Sequence, residues 1–271
     1  MISHKENLRV SKRNLLRFLD YISREINMER IAVISDIHGN MPALEAVLAD
    51  IKNRNIERIF CLGDLAGKGP SAAEAVDKIR ESCAVVIKGN WDYYLTEQEG
   101  DAVLRWHQKK LGVERLKYLK ERPIYKEFYI SGKLLRLCHA SPNDLFHRVY
   151  LSTAQSKRIK LFDPTPTLNI EADVVGYGDI HGAHIDNFTG KTIFNVGSVG
   201  NPLDIIQSSY GIIEGYLDDK NERPLAISIV RVPYDIELAV DHANSTDLPE
   251  KQEYIDELKT AVYRGRKAQK Y

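Results

Sequence analysis

The chain has 271 residues, enough for one substantial core with a small appendage. Its 38 Lys and Arg balance 38 Asp and Glu, so no net field draws it to nucleic acid or to an anionic membrane. Three cysteines that do not pair evenly, no opening apolar run of a signal peptide and no stretch of transmembrane length lead to the expectation of a reduced, cytoplasmic protein.

In the first 27 residues, Leu15, Phe18, Leu19, Ile22 and Ile26 fall on one helical stripe. A helical extension over 1–28 is therefore expected ahead of a single domain over 29–271. The stripe would pack on the body or meet a partner, a second copy included. Residues 31–34 are a β-branched apolar run that delivers Asp36, His38 and Asn40. Residues 42–53 carry Leu44, Val47, Leu48 and Ile51 at helical spacing. A second apolar run, 58–62, leads into Gly63 and Asp64. Ser71 with Glu74 forms a capping-box pattern that opens a helix to about residue 81. A third run, 84–87, leads into Gly89, Asn90, Trp91 and Asp92, and the strand–helix–strand repetition predicts parallel pairing.

Residues 91–123 read as a helical insertion holding both tryptophans, Tyr93, Tyr94 and His107; Trp106, Leu111, Leu116 and Leu119 read as core. The strand at 134–139 ends in His139. The polar segment 143–162, with Arg148, Lys157, Arg158 and Lys160, is ordinarily a solvated face; the alternative is a cation there that holds substrate phosphate. The strand at 173–178 delivers Asp179 and His181, and that at 192–196 leads to Gly197, Ser198, Val199 and Gly200. Residues 209–217 and 225–234, joined by a short polar turn, read as a hairpin, and 236–271 as covering helices, one of them over 249–264.

Taken singly, Asp-x-His, Gly-Asp and Gly-Asn are ordinary turn chemistry. Here each follows a buried-type strand, and ligands of an open α/β sheet gather at the carboxyl ends of its strands. Carboxylate, imidazole and amide donors together suit hard to borderline divalent metals, so the set reads as a metal cage. In an extended loop residues i and i+2 share a direction, which would pair Asp36 with His38 and Asp179 with His181.

In that order the motifs (Asp36-Ile-His38, Gly63-Asp64, Gly89-Asn-Trp-Asp92, His139-Ala-Ser-Pro142, Gly178-Asp-Ile-His181, Asn195-Val-Gly-Ser-Val-Gly200) resemble those of the calcineurin-like metallophosphoesterases, small bacterial and archaeal branch, over about residues 29–235. The resemblance implies an α/β fold, a two-layer mixed β-sheet sandwich flanked by helices. It implies a dinuclear phosphoesterase whose first metal binds Asp36, His38, Asp64 and His181, and whose second binds Asp64 as a bridge, Asn90, His139 and Asp179. Catalysis would fall to Asp64, Asn90 and His139 around a metal-activated water that attacks phosphorus in line.

Two positions depart from the family pattern. The usual Gly-His-x-His reads Gly178-Asp179-Ile180-His181. If Asp179 ligates, three carboxylates face two cations, which favours Mn or Fe, with Zn, Ni and Mg as alternatives; if it turns away, the second site is weak. Trp91 replaces a His that can protonate the leaving group, and indole cannot do that work. A good leaving group follows, so the expected substrate is a phosphorylated small molecule such as a nucleotide or a dinucleoside polyphosphate like diadenosine tetraphosphate. Small phosphomonoesters and phosphodiesters are the runner-up. Asn90, Trp91, Tyr93 and Tyr94 are the expected substrate contacts, an aromatic ring stacking on the base. Asp92, Asn40 and His184 are expected to hold ligands and loops in place. The alternative function is a catalytically weak metal-binding scaffold acting in protein interactions, for which Asp179 in place of His is the argument.

Overall fold

A computed structural model describes residues 28–97 and 100–265. The helical stripe expected at 15–26 lies outside the described residues. In chain order the strands are β1 (Glu29–Ile34), β2 (Arg58–Cys61), β3 (Val85–Val86), β4 (Tyr125–Ile130), β5 (Lys133–Cys138), β6 (Val174–Tyr177), β7 (His184–Phe188), β8 (Lys191–Asn195), β9 (Ser208–Gly215) and β10 (Ala226–Val232). The helices are α1 (Met41–Asn53), α2 (Ala72–Ser82), α3 (Asn90–Glu97), α4 (Ala102–Lys120), the single turn α5 (Gln155–Arg158), α6 (Ile236–Asn244) and α7 (Lys251–Thr260).

The strands form two five-stranded mixed sheets, ordered β10-β9-β1-β2-β3 and β4-β5-β6-β8-β7. Continuous apolar runs such as 31–34 are explained by burial of both strand faces. Ile31 and Val33 turn towards the second sheet, where Phe60, Leu62, Ile87, Leu135, Leu137 and Phe194 complete the layer between the sheets. Ala32 and Ile34 turn the other way, onto Leu44, Val47 and Ile51 of α1 and Ala75, Val76 and Ile79 of α2. A third apolar group (Cys138, Val175, Tyr177 and Ile193 against Leu161 and Phe162) backs the second sheet. The expected parallel pairing holds for β1–β2 and β2–β3, and the late hairpin is β9–β10, with β9 antiparallel to β1. The three cysteines are free thiols. No helix among the described residues is long and apolar enough to cross a membrane.

Three local readings change. Ser71 stands before α2 but its hydroxyl makes no capping bond. Its N–H is held by the Gly39 carbonyl at 3.1 Å and its ψ is 53°, short of the extended conformation that aligns a cap. The 91–123 insertion is two helices, and α4 is itself broken at Gly112 (φ 67°, ψ 172°). The C-terminal helix is shorter than 249–264, because Glu250 (φ 51°) and Ala261 (φ 54°) take left-handed backbone at its two ends. Trp106 is half-buried against α6 and α7, its indole N–H donating to Asp247 at 2.8 Å.

His107, whose ring stands edge-on to that of Trp106, is fully buried, and neither ring nitrogen has a hydrogen-bond partner among the described residues. Burial pushes its pKa down to about 4. The fold thus holds a neutral ring that the unfolded chain would protonate near the ordinary value of about 6.5. A depressed imidazole pKa gives stability that is present above 6.5 and is lost as pH falls towards 4, a linkage worth about 3 kcal/mol. Replacing the ring by His107→Leu removes this term. Urea titrations at pH 7 and pH 4 are expected to show the variant losing about 3 kcal/mol less stability between the two than the wild type.

Candidate metal centre

All the predicted donors come from strand ends at one edge of the sandwich. β1 delivers Asp36 and His38, β2 Asp64, β3 Asn90 at the start of α3, β5 His139, and β6 Asp179 and His181. The loops are not extended as the i, i+2 argument supposed. Asp36, His38, Asp64, Asp179 and His181 all take left-handed backbone, with φ between 50° and 63°. For residues with a Cβ this costs roughly 1–3 kcal/mol each, and such strain gathers at functional sites. Cross-loop bonds hold it: Asp36 N–H donates to Gly63 O (3.0 Å), His38 N–H to Asp64 O (2.9 Å) and Gly200 N–H to Asp36 O (2.9 Å).

Three imidazoles are oriented in the same way. Nδ1 of His38, His139 and His181 lies against the carbonyls of Ala66 (3.2 Å), Leu62 (2.9 Å) and Asn201 (2.5 Å). A carbonyl only accepts, so each Nδ1 carries the proton and each Nε2 presents a lone pair when the ring is neutral. The Nε2 atoms of His38 and His181 then face each other at 3.2 Å with nothing to share. Asp36 Oδ1 lies 3.1 Å from His181 Nε2 and 3.7 Å from His38 Nε2. Asp64 Oδ2 lies 3.4 Å from His139 Nε2 and 3.7 Å from His38 Nε2. Two groups of donor atoms thereby close to within 4.8 Å: Asp36, His38 and His181, and Asp36, Asp64 and His139.

Among the described residues, Asp36 Oδ1, His139 Nε2, Asn90 Oδ1 and Asp179 Oδ2 are buried and unpartnered. Buried polar atoms are normally satisfied, and convergent lone pairs of this kind are satisfied by a cation. The residues present therefore fit a divalent metal. The protonation equilibria are pulled in both directions, towards bare ligands at Asp36 and His38 and towards a held proton at His139. Burial raises the Asp36 carboxyl, but His181, His139 and His38 together hold it well below the usual carboxylate range. Burial and the neighbouring His181 push the His38 ring far down. For His139 burial acts downward too, yet the Asp64 and Asp36 carboxylates outweigh it and hold the ring well above its ordinary value.

Asp179 and His181 do not point to a shared partner. His181 joins Asp36 and His38, whereas Asp179 Oδ1 accepts from Asn90 Nδ2 (2.6 Å) and lies 3.3 Å from Arg148 Nε. Burial pushes the Asp179 carboxyl up. Asp92 serves the backbone: its carboxylate accepts from the N–H groups of Asp64, Leu65 and Gly89 at 2.8–3.1 Å, with its pKa pushed up to about 6 by burial and then by Asp64. Asn40 caps α1 at Ala43 N–H and donates to Gly200 O (2.8 Å). His184 departs from expectation: its ring nitrogens lie near Gly182 O and Tyr177 Oη, and it holds none of the donors.

The donors open into a cleft of about 760 Å³ whose walls include Trp91, Tyr94, Lys68, Arg148, Tyr150 and Tyr263. The Trp91 ring stands edge-on to His38 (centroids 6.3 Å), and the backbone N–H of Trp91 donates to Asp64 Oδ1 at 2.8 Å. Gly67 (φ 111°) passes so close that a Cβ there would lie 2.3 Å from the indole. Tyr93 does not line the cleft; it stands behind Tyr94, edge-on to Tyr94 and Phe146. Lys68 escaped the sequence reading, although its setting between Gly67 and Gly69, four residues after Asp64, was a signal for it. Tyr263 and Arg264 on the far wall carry no such signal.

The model of the calcineurin-like phosphoesterase superfamily domain matches residues 29–216. The chain is 34% identical to the uncharacterized protein MJ0912 of Methanocaldococcus jannaschii over 250 residues, 81% of this chain and 94% of that one. A metallophosphoesterase from Sphaerobacter thermophilus shares the fold at TM-score 0.66 and 24% identity, covering 87% of this chain and 100% of that one. So does the hypothetical protein PH1004 from Pyrococcus horikoshii, at TM-score 0.70 and 22% identity, covering 89% and 100%. With the domain model spanning well over half of its length, the chain belongs to the calcineurin-like phosphoesterase superfamily.

Proposed function

We propose that the chain is a dinuclear metal-dependent phosphoesterase that hydrolyses phosphate esters or anhydrides. Asp36, His38, Asp64 and His181 hold one cation, and Asp64, Asn90, His139 and Asp179 the other. The observation that carries this reading is the set of buried, unpartnered atoms of Asp36, Asn90, His139 and Asp179, beside the His38 and His181 Nε2 atoms that face each other at 3.2 Å while their Nδ1 atoms donate to carbonyls. Cations bound there supply a water of lowered pKa and neutralise charge on the phosphoryl oxygens.

The chain's own groups divide the remaining work. Asp64 Oδ1 is occupied by the Trp91 backbone N–H, which leaves Oδ2, between His38 and His139, as the oxygen that would serve a cation. Asn90 Nδ2 holds Asp179 and leaves its own Oδ1 free as a donor. Three carboxylates in the set favour Mn or Fe over Zn. The guanidinium nitrogens of Arg148, on the cleft wall, suit an anionic substrate. Trp91 and Tyr94 beside them suit a base, so a nucleotide or a dinucleoside polyphosphate is the favoured substrate class. Both have leaving groups that need little protonation, consistent with an indole at the position of an acid.

Stripped of metal and resupplied with Mn²⁺, Fe²⁺, Zn²⁺ or Mg²⁺, the protein is expected to hydrolyse an aryl phosphate, an aryl diester or diadenosine tetraphosphate only with metal. Asp64→Asn is expected to lower turnover at least a hundredfold, and a folded wild type inactive with every metal and substrate would overturn the reading. The stacking assignment has its own check. Tyr94→Ala is expected to raise KM about tenfold for a nucleotide substrate, within the ~1–3 kcal/mol of base stacking, and to leave the aryl phosphate KM unchanged.

A further inference from the structure

The family match ends at residue 216, yet the C-terminal residues beyond it reach the site. Glu257 on α7 is fully buried. Its Oε2 accepts from Lys68 Nζ (3.0 Å) and Asn201 Nδ2 (3.1 Å), and its Oε1 from Arg264 Nε (2.8 Å). Lys68 Nζ also donates to Asn201 Oδ1 at 2.7 Å, which closes a three-membered ring of side chains. Burying such charges is a poor route to stability, because an apolar set of similar volume commonly does as well. What the ring does provide is geometry.

The backbone on either side of it leads to two imidazoles. The Asn201 carbonyl accepts the Nδ1–H of His181, and its N–H donates to Ser198 Oγ (2.8 Å), which donates in turn to the Asp36 carbonyl (2.8 Å). On the other side, Lys68 lies two residues after Ala66, whose carbonyl accepts the Nδ1–H of His38. Gly69 N–H, next in the chain, donates to the His38 carbonyl at 2.6 Å. One carboxylate thus ties together the two loops that orient the facing His38 and His181 rings.

We infer that Glu257 is a positioning residue for the metal centre: through Asn201 and Lys68 it fixes the carbonyls that orient His181 and His38, so a helix beyond the residues of the family match sets the cation affinity of the Asp36–His38–His181 group. The inference rests on the metal reading above, but calorimetry tests it without recourse to turnover. Removal of the outer partners of ligating histidines typically weakens metal binding 10–100-fold. In Glu257→Gln an amide N–H₂ takes the place of one accepting oxygen. Titration of the metal-free full chain with Mn²⁺ is expected to show 10–100-fold weaker binding in this variant. Turnover and KM should return to wild-type values at saturating Mn²⁺. Asn201→Ala should show a similar loss, and the double variant no more than Asn201→Ala alone, because both act through one chain of contacts.

Wild-type Mn²⁺ affinity in folded Glu257→Gln, or losses that add in the double variant, would overturn the inference. Should Glu257→Gln fail to fold, Lys68→Met combined with Glu257→Leu removes both buried charges. That pair must show the same weakened binding, and wild-type affinity there overturns the inference equally. A wild type that binds Mn²⁺ but hydrolyses nothing refutes the phosphoesterase reading and leaves the role of Glu257 to the calorimetry.

Discussion

The site depends on one buried residue, Asp36, more than on any other. Its N–H is held by Gly63 O, its carbonyl by Gly200 N–H and the Ser198 hydroxyl, and its Oδ2 by Asp179 N–H. These bonds join the loops after β1, β2, β6 and β8, so one peptide and one carboxylate lock both sheets together. The remaining oxygen, Oδ1, belongs to both groups of donor atoms. Without this lock, the strands would still pair, but their ends would have no common centre.

Such convergence crowds the backbone, and the sequence answers with glycines where a loop crosses a donor. A Cβ on Gly89 would lie 2.1 Å from Asp64 Oδ1, and one on Gly200 would lie 1.8 Å from the Ile37 carbonyl. Neither contact can be relieved by a flexible side chain, because one neighbour is itself a candidate ligand and the other is backbone. Asp36, His38, Asp64, Asp179 and His181 have no such freedom and still adopt left-handed conformations. Their strain is offset by the loop-to-loop bonds around them, which is why Asp92, with its three accepted N–H groups, matters although its role is to hold backbone.

Much of this was legible from residues alone, because each donor follows directly on a strand whose apolar run marks it. The parallel β1–β2–β3 core follows from the same alternation of strands and helices. Other features were not. Left-handed backbone at an Asp or a His leaves no mark in composition, and the extended-loop argument accordingly mistook how Asp36 and His38 come together. The Ser71 cap failed because the Gly39 carbonyl competes for that backbone. Lys68 and Glu257 are 189 residues apart, and no local period can announce a pair of that separation. Arg148 was visible as a charge, but that it would lie against Asp179 follows only from the path of the loop after β5.

The broken sequence continuity of the centre has a thermodynamic consequence. Any ion held between loops of both sheets is a cross-link of the sandwich, present in the native state and absent from the unfolded chain. Each tenfold excess of free ion over its dissociation constant then adds about 1.4 kcal/mol to the folding free energy. A domain of this size has only about 5–15 kcal/mol in hand. Metal supply would therefore govern how long a molecule survives unfolding and proteolysis, and the metal-starved chain would be cleared first.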